Sequence, residues 1–404
     1  MPKVCFILVA GLSRSVASRL ASSDHLLSGF THSAPLRPVW PAVTCTMQAT
    51  LTTGVLPEGH GIISNGLYSY NHSEIHPFLD ADSSPEFRKQ ISFWEQSTAL
   101  LQAPRFWTGL GLRTALLFWQ QSMPDAADII LTPKPQHTPD GKTISACWSR
   151  PADLYARLAG ALGPFPLHHY WGPMASLPAS EWILRSALDV WSAFQPDLQL
   201  VYVPHLDYNL QRLGPDHPQI TADVIQVDRL IAPLVQRVRA DGGVCIVAGD
   251  YGITAVSSAS APNQALRRAG LLQTLPDADG KLLIDFDATS AVSMVDHQIA
   301  HVYCRPESLD AAFNILKNLD GIDRIIRFMD EKKSLGLDNP RSGDLILLSR
   351  RDAFFIHDWW FTDDEKPLWQ FSVDIHRKPG YDPRELFFDP VHKRISQDPL
   401  RVKG

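Results

Sequence analysis

The chain has 404 residues, 45% of them hydrophobic and 20% charged, with a formal net charge of −6. That length and apolar content predict a globular protein with a large core, more than one minimal compact unit. The acidic balance and the lack of any Lys/Arg cluster speak against a nucleic-acid surface, and no apolar run approaches the roughly 18 residues of a membrane span. Cys5, Cys45, Cys147, Cys245 and Cys304 are scattered and free of CxxC spacing. They predict buried thiols in a reducing compartment, hence a cytoplasmic protein.

In chain order, residues 3–9 (KVCFILV) are an apolar run of the fully buried strand type. The run is short, follows a single lysine and leads into SRSVASRL, so a strand is predicted there rather than a signal sequence. Ala10 to Arg14 read as a strand-to-helix turn and residues 15–30 as a helix. The chain is organised around residues 38–66, PVWPAVTCTMQATLTTGVLPEGHGIISNG. Pro38 and Pro41 hold its entry extended, a helix starts near Thr44, Gly54 stops it, and Pro57, Gly59 and Gly61 make a loop. Thr44 or Thr46 would sit at the helix N-terminus, where free N–H groups and the dipole favour an anion. Such a threonine serves either as a cap or as a nucleophile, and the local sequence leaves both open.

Residues 67–90 are polar and irregular. Residues 92–102 and 106–111 read as helix fragments turning Trp94 and Trp107 inward, 113–119 as a second strand and 129–131 as an edge piece. Residues 136–177 lack periodicity and would wall a pocket or pack beneath loops. An amphipathic helix (181–194) precedes a strand (198–203) ending VPHLDYNLQRLGP. A long helix (220–240) precedes a strand (244–248) ending GDYGIT, completing βαβ spacing. A short helix (263–269) follows; 300–304, 308–319 and 322–328 form a strand–helix–strand unit, and 344–348 a further strand. The tail FSVDIHRKPGYDPRELFFDP reads as loop. The predicted fold class is α/β, a mostly parallel central sheet with helices on both faces. One domain spans 1–404, with a smaller α/β subdomain at about 290–345 and pocket-wall insertions at about 67–177.

This order of motifs resembles the type I phosphodiesterase/nucleotide pyrophosphatase family of the alkaline phosphatase superfamily, over nearly the whole chain. The resemblance rests on residues 38–66, on Asp250-Tyr251-Gly252, on the Asp207 segment ending Gly214-Pro215, and on His376 with Gly380-Tyr381-Asp382. It implies a threonine nucleophile acting on a phosphodiester, with two zinc ions held by aspartates and histidines. Thr44 falls on the nucleophile; Asp207, Asp250 and His376 fall on metal ligands. The first-strand aspartate is Ala10 here, the histidine four residues after Asp207 is Gln211, and the histidine after Asp250 is Tyr251. A phosphoryl-contacting asparagine aligns with Met47.

Three of six protein ligands are thus replaced, and a catalytic zinc needs about three. No cofactor is expected; a single zinc, if bound, would rest on Asp207, His376 and Asp250. Without metal, Thr44 needs another activator, and His376, Asp207 and Tyr251 are the candidates for acid and base. Trp40, Gln211, Arg212, Asp250, His297 and Lys378 are expected to bind substrate, with Arg212, Arg377 and Lys378 available as oxyanion-binding charge. His205 and His297 are further histidines that could reach the pocket. The expected function is a hydrolase or transferase on a small phosphate or other ester. The alternatives are a metal-free enzyme of another kind (cyclisation, elimination or group transfer on a small metabolite) and a ligand-binding pseudoenzyme. The expected partner is a small molecule, with neither nucleic acid nor membrane; oligomeric state is not legible.

Overall fold

The structure, a computed structural model, describes residues 2–20, 25–68, 90–94, 97–137, 143–375 and 377–404. Its central sheet has six strands: β1 (Val4–Val9), β2 (Thr114–Leu117), β3 (Ile129–Pro133), β4 (Cys147–Arg150), β5 (Leu198–Val203) and β6 (Val244–Gly249). They lie in the order β6-β1-β5-β2-β3-β4. All pairings are parallel except β3 with β4. Strand β1 lies in the middle, with Val4 opposite both Val244 and Leu198. Cys5, Ile7, Leu8 and Val9 are fully buried, so both faces of this strand are covered. That explains why the run is apolar throughout rather than alternating. Each such side chain contributes about 1.5–3 kcal/mol on burial.

Helices α2 (Leu177–Phe194) and α4 (Gln219–Ala240) supply much of this cover, Ile183, Ala187, Val190 and Trp191 from one, Val224, Val227 and Ile231 from the other. A second sheet is antiparallel: β7 (Ala291–Asp296), β8 (Ile299–Cys304), β9 (Ile322–Ile326) and β10 (Leu345–Ser349), ordered β7-β8-β10-β9. Helix α5 (Leu309–Leu316) packs with it through Ala312 and Leu316. Helix α1 (Thr44–Thr53) joins the two halves: Cys45 and Ala49 belong to the core beneath the second sheet, while Leu51 packs on that of the first.

Some local expectations differ. In place of a helix over 15–30 there is one turn, Arg14–Ala17, capped by Ser13, and a 3-10 turn at Leu27–Gly29; residues 21–24 lie outside the described set. The segment is serine-rich, and serine hydroxyls compete for backbone groups. Within 92–102 the described residues hold the end of a short strand (Gln90–Ser92) and a 3-10 turn (Thr98–Leu100), and residues 95–96 lie outside the described set. Residues 106–111 form turns, with Gly109 and Gly111 at φ 81° and 67°. Strand β3 is not an edge, because β4 pairs on its outer side. Residues 136–177 contain an unforeseen helix, Leu154–Leu162, burying Leu154 and Leu158.

Candidate active site

Four chain segments meet at the carboxyl ends of β1, β5 and β6, where an open α/β sheet binds ligands. After β1 the chain turns at Gly11 (φ 73°), whose N–H donates to Oδ1 of Asp250 at 3.1 Å. A side chain at Gly11 would strike Leu210, so the turn requires glycine. After β5, α3 (His205–Leu213) begins at once, setting Asp207 and Gln211 one turn apart on one face. After β6 come Asp250 and Tyr251.

Helix α1 is capped by Val43, whose side chain makes no capping bond, so Thr44 is the first helical residue. Its Oγ1 lies 3.4 Å from the Tyr251 hydroxyl and 3.5 Å from that of Tyr202. Thr46 instead donates to the Ile62 carbonyl at 3.0 Å and is fully buried, which makes it a packing residue. The Tyr251 hydroxyl donates to Oδ1 of Asp207 at 3.0 Å, and Gln211 Nε2 donates to Oδ2 at 2.5 Å. Gln211 Nε2 also reaches the Tyr381 hydroxyl at 2.6 Å. The result is a continuous string of neutral donors around one carboxylate.

Burial raises the Asp207 pKa, with His297 the foremost of the groups opposing it. Burial likewise holds the Tyr251 and Tyr202 hydroxyls well above their usual range, so both stay protonated. Asp250 is pushed up to about 8 by burial, against hydrogen bonds from Gly11 and its own neighbourhood and assisted by the nearby Asp207 charge. Its Oδ1 accepts from the backbone N–H groups of Gly11 and Tyr251.

Thr44, Asp207 and Tyr251 open onto a cavity of about 570 Å³. Asn65 also lines it, and its Oδ1 accepts from Cys45 N–H at 3.1 Å in the first turn of α1. The far wall is aromatic: Tyr170, Trp171, Tyr208 and Tyr381, with Trp171 and Tyr381 rings 5.1 Å apart. His297 enters from the β7–β8 turn, its ring stacked on Tyr381 at 3.9 Å and 17°.

The remaining expected residues are placed differently. Trp40 is 47% exposed and does not line the cavity. Arg212 is turned away; its guanidinium donates to the carbonyls of Leu386, Ala175, Gly172 and Pro173. Lys378 lines the cavity, but its Nζ is held by Glu385 at 2.8 Å and the Ser372 carbonyl at 2.7 Å. Gln211 and Asp250 stand behind Asp207 and Tyr251, outside the cavity wall. His205 is buried near Tyr208 and does not reach the cavity. His376 lies outside the described residues. Sequence reasoning did not single out Asn65, Tyr202 or Asp296. Asn65 lies three residues beyond the GHGI run of residues 59–62, in the loop that follows it.

The donor set fits paired metal ions poorly. Asp207 meets an O–H and an amide N–H, where a metal centre would supply further lone pairs. Among the described residues no three His, Cys, Asp or Glu side chains are grouped to hold an ion.

The fold and the strand-end site define an open, mostly parallel α/β scaffold that binds its ligand at the carboxyl ends of the strands. The chain belongs to the type I phosphodiesterase / nucleotide pyrophosphatase family, whose model matches residues 4–382. An uncharacterized pyrophosphatase/phosphodiesterase of Schizosaccharomyces pombe is 24% identical over 226 residues, 53% of this chain and 38% of that protein. Ectonucleotide pyrophosphatase/phosphodiesterase family member 3 of Bos taurus is 24% identical over 50% of this chain and 18% of its own length. The matched region is thus well under half of these relatives. Among solved structures, phosphonoacetate hydrolase from Sinorhizobium meliloti 1021 with phosphonoformate superposes with a TM-score of 0.57 at 16% identity, over 94% of this chain and 86% of that one. An inactive murine ectonucleotide pyrophosphatase / phosphodiesterase 5 in complex with AMP gives 0.56 at 13% identity, over 89% and 81%. At these identities the superpositions establish the fold alone.

Proposed function

We propose that this protein cleaves or transfers a small phosphate ester, with Thr44 as nucleophile and without a pair of metal ions. The observation that carries this reading is the line Thr44 Oγ1–Tyr251 O–H–Asp207 opening on a cavity of about 570 Å³. A threonine hydroxyl is a weak nucleophile unless a base takes its proton. Tyr251 can accept the Thr44 proton while passing its own to Asp207, whose burial makes it a better base than an exposed carboxylate. Thr44 opens α1, so the positive end of that helix lies beside the attacking oxygen and favours an anionic phosphoryl group, although the Cys45 N–H is taken by Asn65. Gln211 acts through Asp207, fixing the carboxylate so that Oδ1 faces Tyr251.

The cavity of about 570 Å³ has room for a metabolite-sized ligand. The aromatic wall suits a substrate with an apolar or ring-bearing group on its ester oxygen. The test is covalent capture. Protein mixed with bis(4-nitrophenyl) phosphate and quenched in acid should carry a phosphoryl adduct on the peptide holding Thr44, absent from Thr44→Ala. An adduct elsewhere, or turnover undiminished in Thr44→Ala, would overturn the assignment.

A further inference from the structure

The Tyr251–Asp207 line serves the attacking oxygen, yet ester cleavage must also deliver a proton to the oxygen that leaves. Among the described residues two histidines line the cavity, His168 and His297, and His297 is the one with a carboxylate partner. His297 Nδ1 lies 2.6 Å from Oδ1 of Asp296. Asp296 is fully buried and is itself fixed by three donors: Ser64 hydroxyl at 2.5 Å, Asn65 N–H at 2.8 Å and Asn65 Nδ2 at 3.2 Å. A carboxylate at Nδ1 sets the tautomer, placing the proton there and leaving Nε2 for exchange. Among the described residues Nε2 has no hydrogen-bond partner, and the side chain is 30% exposed where it lines the cavity.

Two further facts set His297 apart from a histidine that merely fills space. It occupies the β7–β8 turn at φ 55°, in the left-handed region of backbone space. That conformation aims the imidazole off the hairpin tip toward the cavity it lines. The ring is also clamped flat against Tyr381 at 3.9 Å, and Tyr381 is tied through Gln211 to Asp207. The acid–base ring and the nucleophile's base are therefore linked through one rigid set of contacts.

We propose that His297 is the general acid–base of the leaving-group side, with Asp296 as its positioning residue. The assignment rests on the Thr44 reading above. Thr44 Oγ1 bonds to phosphorus as the P–O bond to the leaving group breaks, and the protonated His297 gives its Nε2 proton to the departing oxygen. The Thr44 proton goes to Asp207 through Tyr251. Water then attacks the phosphorus and gives a proton to Nε2, while the Thr44 oxygen leaves and recovers its own. The sum is ester plus water to phosphate and alcohol, with both acids restored.

The test compares methyl 4-nitrophenyl phosphate with methyl phenyl phosphate as substrates of the full chain. Nitrophenolate departs without a proton, whereas phenolate needs one. His297→Gly, which suits the turn at φ 55°, should lose about 10²-fold in kcat on the phenyl ester, against less than about tenfold on the nitrophenyl ester. Added imidazole should restore the phenyl rate. His297→Asn provides a second variant compatible with that turn. Asp296→Asn should lower kcat on the phenyl ester with KM unchanged. Equal losses on both esters, with no imidazole rescue, would overturn the acid–base role while leaving the Thr44 reading intact. If the wild-type protein cleaves neither ester, the Thr44 reading fails and this assignment falls with it.

Discussion

The Tyr251 hydroxyl donates to Oδ1 of Asp207 at 3.0 Å while standing 3.4 Å from the Thr44 hydroxyl. One phenol thus joins an oxygen on α1 to a carboxylate on α3. Tyr251→Phe keeps the ring and cuts the link. Turnover should fall about 10²-fold with KM little changed, because the lost step is proton transfer rather than binding. Tyr202→Phe removes only a 3.5 Å neighbour of Thr44 and should cost much less. Steady-state kinetics of the two variants side by side check this ordering.

Asp250 gives the fold a pH dependence. Its carboxyl is pushed up from 3.8 to about 8 in the folded state by burial. Between those values the folded chain holds a proton that the unfolded chain has released. The stabilisation is therefore complete below about 4 and is lost as pH rises through about 8. Asp250→Asn can still accept the N–H groups of Gly11 and Tyr251 through its amide oxygen, and it does not titrate. Urea unfolding at pH 5 and pH 8.5 should show a smaller difference for Asp250→Asn than for wild type (about 1.4 kcal/mol per pH unit of the window at most).

Metal removal supplies a third check. Ala10 has no donor atom, and Gln211 and Tyr251 are committed to Asp207. Elemental analysis of protein purified without chelator should find less than two equivalents of zinc, and dialysis against EDTA should leave turnover of an aryl phosphodiester within about twofold of the starting rate. Two zinc equivalents with full loss on chelation would reject the metal-poor reading.

A fourth expectation concerns the wall rather than the chemistry. Arg384 is fully buried and donates to Asp358 at 2.6 and 2.9 Å and to Asp382 at 2.9 Å. Burial alone would lower its pKa, but the two carboxylates raise it further than burial lowers it. Arg384→Met takes from Asp358 its bidentate cation and leaves Asp382 with Lys378 at 3.9 Å and Gln370 at 3.1 Å as its side-chain partners. About 3–5 kcal/mol of stability should go, read as a fall in the urea midpoint, before any substrate is added.

The strands and the strand-end acids were legible because burial on both faces leaves a continuous apolar run that ends where a polar residue begins. Thr44, Asp207 and Tyr251 could be placed at one edge on that basis. Side-chain direction was harder. Gln211, four residues after Asp207, shares its face of α3, whereas Arg212 is one step round the helix and is spent on carbonyls beyond the pocket. Lys378 reads as a free cation in sequence and is neutralised by Glu385, a pairing set only by how the tail coils back. Asn65, Tyr202 and Asp296 were illegible for a related reason. Each lies in an apolar strand or a loop, and its meaning comes from a partner more than 20 residues away or on another sheet. The exception is the contact of Asn65 with Cys45, 20 residues distant.

The Asn65–Asp296 contact joins positions 231 residues apart, and the hairpin it anchors brings His297 to a cavity whose other walls come from the strand ends of the first sheet, the Leu167–Met174 segment and the tail. Contacts of such long sequence separation form late, because the intervening chain must be closed before they add stability. On refolding from urea, helical signal and core burial should therefore return ahead of catalytic competence. The lag between them would time the docking of the two sheets, so activity can serve as a clock for the last step of assembly.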